Sequence, residues 1–187
     1  MERVHGSSEA PDSPRVIYSP IAGSFARDAL DRGYRLGFIG SGDRHDGHPG
    51  AYQTDPPMGG LAAILADELS REGVLEALRA RRVYATNGPR MLLRVALGSH
   101  RMGENVAVGK DGRLTDRLFV HVVGETPLVS AELVRSGKPE GGVLLDGKLD
   151  AMLDREIRDL APGEYVYVRV LQKDGGAAWS SPIFVVE

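Results

Sequence analysis

Apolar positions along the chain change rhythm at Pro89. Before it, the spacing is helical in two places. The stretch SFARDALDR, Ser24 to Arg32, sets Phe25, Ala29 and Leu30 on one side of a short helix, with Ser24 as its N-cap and Gly33 as the C′ residue. Arg35 to Gly40 (RLGFIG) then reads as a short buried strand ended by glycine. Leu61 to Ala66 fits another buried strand or a helical turn. Ser70 caps a second helix over Arg71 to Arg82, striped by Val74, Leu75 and Leu78. Arg79, Arg81 and Arg82 sit at its C-terminal end, where the helix dipole favours cations. Val83 to Thr86 is a short strand, and Asn87-Gly88-Pro89 a sharp turn. Helix, glycine, strand and polar loop in this order predict an α/β unit over residues 1–89, with its ligand-facing end at the strand's C-terminal edge.

After Pro89 the period shortens to two. Met91 to Leu97, Arg117 to Val123, Ala131 to Arg135, Glu164 to Gln172 and Ser181 to Val186 all read as strands, separated by glycine-rich turns. Tyr165, Tyr167 and Arg169 alternate with Val166, Val168 and Val170, as in a strand with two different faces. One helical candidate, Leu149 to Arg158, interrupts them. The expectation for residues 90–187 is an antiparallel β-sandwich. The lone tryptophan, Trp179, is expected to fill its core.

Composition narrows the function classes. With 42% hydrophobic and 26% charged residues in 187, the chain belongs with ordinary globular proteins. A net charge of −3 offers no electrostatic case for nucleic acid or an anionic membrane. The absence of cysteine removes disulfides, thiolate ligands and thiol nucleophiles. The N-terminal MERVHGSSEAPDSP has no apolar core of a signal peptide, so a chain that stays in the cytoplasm is the default expectation. Ser7, Ser8, Ser41 and Ser180 lack a nucleophile-elbow setting, which argues against serine hydrolase chemistry.

Candidate chemistry concentrates in GFIGSGDRHDGH, Gly37 to His48. A bend in this loop would aim the Asp43 carboxylate and the His45 imidazole at one cation, a donor set suited to Zn, Mn or Fe. Gly40, Gly42 and Gly47 would let the backbone turn and leave room for a ligand. Composition alone favours a surface turn. An EF-hand is excluded, because the D-x-D-x-D spacing and the closing Glu are missing. His100 and His121, on strand-like segments, are expected to be surface or hydrogen-bonded residues.

The run LGFIGSGDRHDGHPG, the following GGLAAILADELSREGVLEALRARRVYATNGPR, the later AELVRSGKP and the closing VRVLQKDGGAAWSSPIFV together resemble the polymerase-and-histidinol-phosphatase (PHP) superfamily. Within that superfamily the chain is similar to a largely uncharacterised branch with a β-rich C-terminal tail. That resemblance implies a fold made of a partial PHP-type (β/α) barrel segment followed by the β-sandwich. It implies metal ligands at Asp43 and His45, with His5 of the HGSSE segment as a third, and a weakly held divalent Zn, Mn or Fe. It further implies metal-activated hydrolysis of a phosphorylated small molecule or other phosphoester in a complete parent protein.

The superfamily's opening His-x-His does not occur among the five histidines, at 5, 45, 48, 100 and 121. The resemblance therefore implies a C-terminal portion with little activity of its own. An open barrel edge would expose apolar surface, so contact of residues 61–78 with the sandwich and a homodimer are expected. The alternative reading is a non-catalytic β-sandwich binding or assembly module whose Asp43–His45 loop is vestigial.

Overall fold

Period-2 alternation shapes most of the molecule. The computed structural model describes residues 6–42 and 59–187, together with the backbone of Glu2–Arg3. In chain order the elements are β1 (Glu2–Arg3), β2 (Gly6–Ser7), α1 (Ala26–Asp31), β3 (Leu61–Ile64), α2 (Arg71–Arg79), β4 (Val83–Thr86), β5 (Leu92–Leu97) and β6 (His100–Arg101). They continue with β7 (Asn105–Ala107), β8 (Leu114–Val123), β9 (Leu128–Arg135), β10 (Lys138–Leu144), β11 (Asp150–Leu160), β12 (Tyr165–Gln172), β13 (Ala177–Ser180) and β14 (Ile183–Val186).

Two sheets carry the fold. A four-stranded sheet runs β11-β8-β5-β6, antiparallel throughout. An eight-stranded sheet runs β10-β9-β12-β13-β4-β3, with β14 and β7 attached through β12. Their facing sides share one core. Leu93, Val95 and Leu97 of β5 and Leu118, Val120 and Val122 of β8 meet Val166, Val168 and Val170 of β12 and Ala131 and Leu133 of β9. Tyr84 reaches into the same layer and donates its hydroxyl to the Met91 carbonyl at 2.6 Å.

The barrel segment expected over residues 1–89 is not what the described residues among them form. In a (β/α) barrel, strands separated by a helix run parallel. Here β3 and β4 flank α2 yet pair antiparallel, Leu61 opposite Thr86 and Ile64 opposite Val83. β4 in turn pairs antiparallel with β13, Trp179 opposite Ala85. The strand-helix-strand order was legible; its direction of pairing was not. What decides it is the sandwich edge at β13, which offers an open ladder to β4. The fold is thus dominated by antiparallel β-sheet, and the sheet continues across Pro89.

Arg35 to Gly40 forms no strand beyond a single bridge at Gly40, and only Phe38 and Gly40 in it are buried. It lies against β3 and β4 closely enough that a Cβ on Gly40 would sit 2.6 Å from the Leu61 carbonyl oxygen. Gly40 is required by that backbone approach. The predicted helix at Leu149 to Arg158 is instead most of β11, in register with β8 from Asp150↔Val123 to Ile157↔Asp116.

The far face of the eight-stranded sheet is also covered. Tyr165 and Tyr167 of β12, Trp179 of β13 and Ala85 of β4 pack with Leu30 of α1 and Phe38. Trp179 is fully buried in this second layer, outside the sandwich core where it was expected. The N-cap of α1 is Phe25, one residue after the expected Ser24, with the Phe25 N–H donating to Asp28 at 2.9 Å. It ends in a Schellman motif: Gly33, at φ +87°, donates to Leu30, and Tyr34 donates to Ala29.

Candidate functional site

Three places draw together functional types of side chain. The first is the buried carboxylate of Glu9, 1% exposed. The residues from Gly6 onward carry Glu9 against β12 and β13. Its Oε2 accepts from Trp179 Nε1 at 2.9 Å, and its Oε1 accepts the hydroxyl of Tyr167. Arg169 lies 3.3 Å away and also pairs with Asp12 and Glu132. Burial pushes the Tyr167 hydroxyl well above its usual range, and the Glu9 charge pushes it further. Burial opposes the charge of Arg169, but Glu9 and Glu132 outweigh it and hold the guanidinium above its ordinary range. Every polar end here has a partner. The cluster fastens the N-terminal segment to the sheet, helped by Tyr165 donating to Asp31 at 2.7 Å and Arg27 donating to the Gly137 carbonyl at 2.7 Å.

The second place is an open groove of about 700 Å³ on the outer face of the four-stranded sheet. Strand alternation puts Arg94 and Ala96 of β5, Phe119 and His121 of β8, and Met152 and Asp154 of β11 on the side away from the core. They form two rows across the strands, Arg94–His121–Met152 and Ala96–Phe119–Asp154. Such a face is usually polar. Here Phe119 is 44% and Met152 76% exposed. Leu65 to Asp67 walls one side, and Arg101 meets Asp67 at 3.4 Å. Most charges around the groove are neutralised in place. His121 Nε2 lies 3.0 Å from Asp150, and Arg117 donates to Asp154 at 2.7 Å. Arg94 makes no hydrogen bond or ion pair with the described residues.

The third place is α2. Ser70 caps it as expected, accepting from the Gly73 N–H at 3.1 Å. The helix packs through Val74 and fully buried Ala77, whereas Leu75 and Leu78 of the expected apolar stripe stay 44% and 40% exposed. Leu69, in the turn before it, is 99% exposed, and Ile64 of the adjoining β3 is 36% exposed.

The metal ligands expected at Asp43, His45 and His5 lie outside the described residues. Among the described residues no three His, Asp or Glu side chains gather as a metal site. His100 and His121 are partly exposed and each faces a carboxylate, Glu104 and Asp150. Reading from the sequence missed the groove for a definite reason. The spacing of Leu149 to Arg158 predicts a helix for Met152 and Asp154, which hides their alignment with Phe119 and Arg94. Glu9 left no signal beyond the Tyr165-Tyr167-Arg169 alternation of the strand that receives it.

Comparison with known proteins gives a family model described as a protein of unknown function (DUF3604), matching residues 51–111. An uncharacterised protein of Chlamydia pneumoniae is 33% identical over 204 residues, covering 96% of this chain and 33% of the relative. A second, from Chlamydia muridarum, is 30% identical over 176 residues, covering 84% and 28%. The chain spans about a third of the length of the curated relatives it matches. Among solved structures, the CARDB domain of a Pyrococcus furiosus protein, crystallised in complex with di-metal ions, overlaps 52% of this chain and 94% of its own. The identity is 16% and the TM-score 0.35, too loose an overlap for any reading of this chain to rest on. The family model that matches, over residues 51–111, is DUF3604 and not the PHP superfamily. Together with the antiparallel pairing of β3 and β4, this match overturns the PHP resemblance and the phosphoesterase assignment drawn from it.

Proposed function

We propose that this chain is a non-catalytic assembly module that pairs with a second copy of itself through the α2 side. The observation that carries the reading is the pair Leu75 and Leu78, left 44% and 40% exposed on a helix whose buried residue is Ala77. An amphipathic helix normally buries its large apolar residues and leaves polar ones outside. Leu69, in the turn before the helix, and Ile64, on the β3 strand that contacts it, are exposed as well, and exposed apolar residues on adjoining elements are expected of an interface. A two-fold contact is the simplest way for one patch to cover itself.

Sedimentation equilibrium tests it. Wild type at tens of micromolar is expected to fit a monomer–dimer equilibrium, and the double variant Leu75→Glu/Leu78→Glu a monomer of unchanged circular dichroism. A wild type that remains monomeric overturns the reading. In this reading the Asp43–His45 loop is vestigial. Protein soaked in Mn or Zn and desalted is then expected to retain no more metal than its His45→Ala variant.

A further inference from the structure

We infer that the groove on the four-stranded sheet is a binding site for a small amphipathic anion, an apolar body carrying one carboxylate. The inference is independent of self-association, because it concerns the outer face of β5, β8 and β11. Two observations meet there. The floor breaks the alternation rule, with Phe119 and Met152 exposed where polar residues belong. Beside them Arg94 meets no counter-charge among the described residues, while Arg101, Arg117 and His121 each face a carboxylate.

The geometry separates the two parts of such a ligand. Arg94, His121 and Met152 form one row, and Phe119 lies in the next, so the guanidinium stands at the edge of the apolar surface. Its planar fork suits two parallel hydrogen bonds to a carboxylate. The apolar body would then lie over Phe119 and Met152, against Leu65. A space of about 700 Å³ is in the range of ligand sites and ample for a medium-length acyl chain. A cationic head would meet Arg94 with the wrong sign. A neutral head would leave its charge unanswered.

Titration calorimetry with octanoate, octanol and octyltrimethylammonium, all kept below micelle formation, reads this directly. Octanoate is expected to bind with one-site stoichiometry, octanol at least about tenfold more weakly, and the ammonium compound not at all. Arg94→Gln is expected to reduce octanoate affinity about tenfold or more and to leave octanol unchanged. Phe119→Ser is expected to weaken both. Arg94 is exposed, so its substitution should leave the fold intact, and an unchanged melting temperature verifies that. Equal binding of the three probes, no octanoate binding, or undiminished binding by Arg94→Gln each overturns the site. Arg94→Gln should not alter the sedimentation of the protein, so failure here is distinguishable from failure of the assembly reading.

Discussion

The two faces of the eight-stranded sheet are closed in different ways. One is covered by a complete partner sheet, with valines and leucines of β5 and β8 meeting those of β9 and β12. The other is covered by α1, Phe38 and the N-terminal segment, held by the buried charge of Glu9 and its partners. Apolar packing closes the first face almost without polar help. The second relies on hydrogen bonds and ion pairs, and the elements next to it still leave Leu36, Ile64, Leu75 and Leu78 substantially exposed. A face that a short chain segment covers by polar fastening is sensitive to single charges. A face covered by a sheet is sensitive to volume.

That contrast can be broken from either side. The largest effect is expected at Arg169, 7% exposed among Glu9, Asp12 and Glu132. Arg169→Met strands buried Glu9 without its cation and should cost about 3–5 kcal/mol in urea unfolding. Leu93→Ala, in the sandwich core, should cost about 2–5 kcal/mol by leaving a cavity, but with no pH dependence of its own. Were the two costs reversed in their response to pH, the distinction between the faces would fail.

A smaller effect comes from Glu164. Hydrogen bonds from Arg135 hold its carboxyl below the ordinary 4.5. The sign follows from that depression. The pair's contribution is fully present above pH 4.5 and is lost as pH falls through the lower folded-state value. Because the pair is partly exposed, its loss should lower the urea midpoint only slightly, by less than about 1 kcal/mol in stability. Glu164→Gln should flatten that acid limb, and a limb identical to wild type would remove Glu164 from the account. Smallest of all, Leu75→Ala should change monomer stability by no more than about 0.5 kcal/mol, since the side chain is exposed within one chain.

Much of the strand content was legible because alternation survives in β5, β8 and β12. The segment that became β11 was not, and the reason is arithmetic. Leu149, Leu153 and Ile157 recur every four residues, which satisfies both a strand period of two and a helical period near 3.6. Pairing with β8 decided between them. In α2 the cap was readable from Ser70 but the buried face was not, because small Ala77 is the buried residue while Leu75 and Leu78 are only about half covered. The tertiary contact of Glu9 with Trp179 spans 170 positions, and no local pattern encodes it. The groove depended on β11 being a strand, so it was lost with that assignment. Asp43, His45 and His5 lie outside the described residues, and their part in the molecule rests on metal analysis.

The central claim is that the exposed leucines of α2 are an interface. Amide hydrogen exchange at two protein concentrations tests it most directly. The account predicts that the α2 amides, and those of neighbouring β3, exchange more slowly at high concentration, while β5, β8 and β12 are unchanged. Exchange in α2 that is independent of concentration across the same range would contradict it.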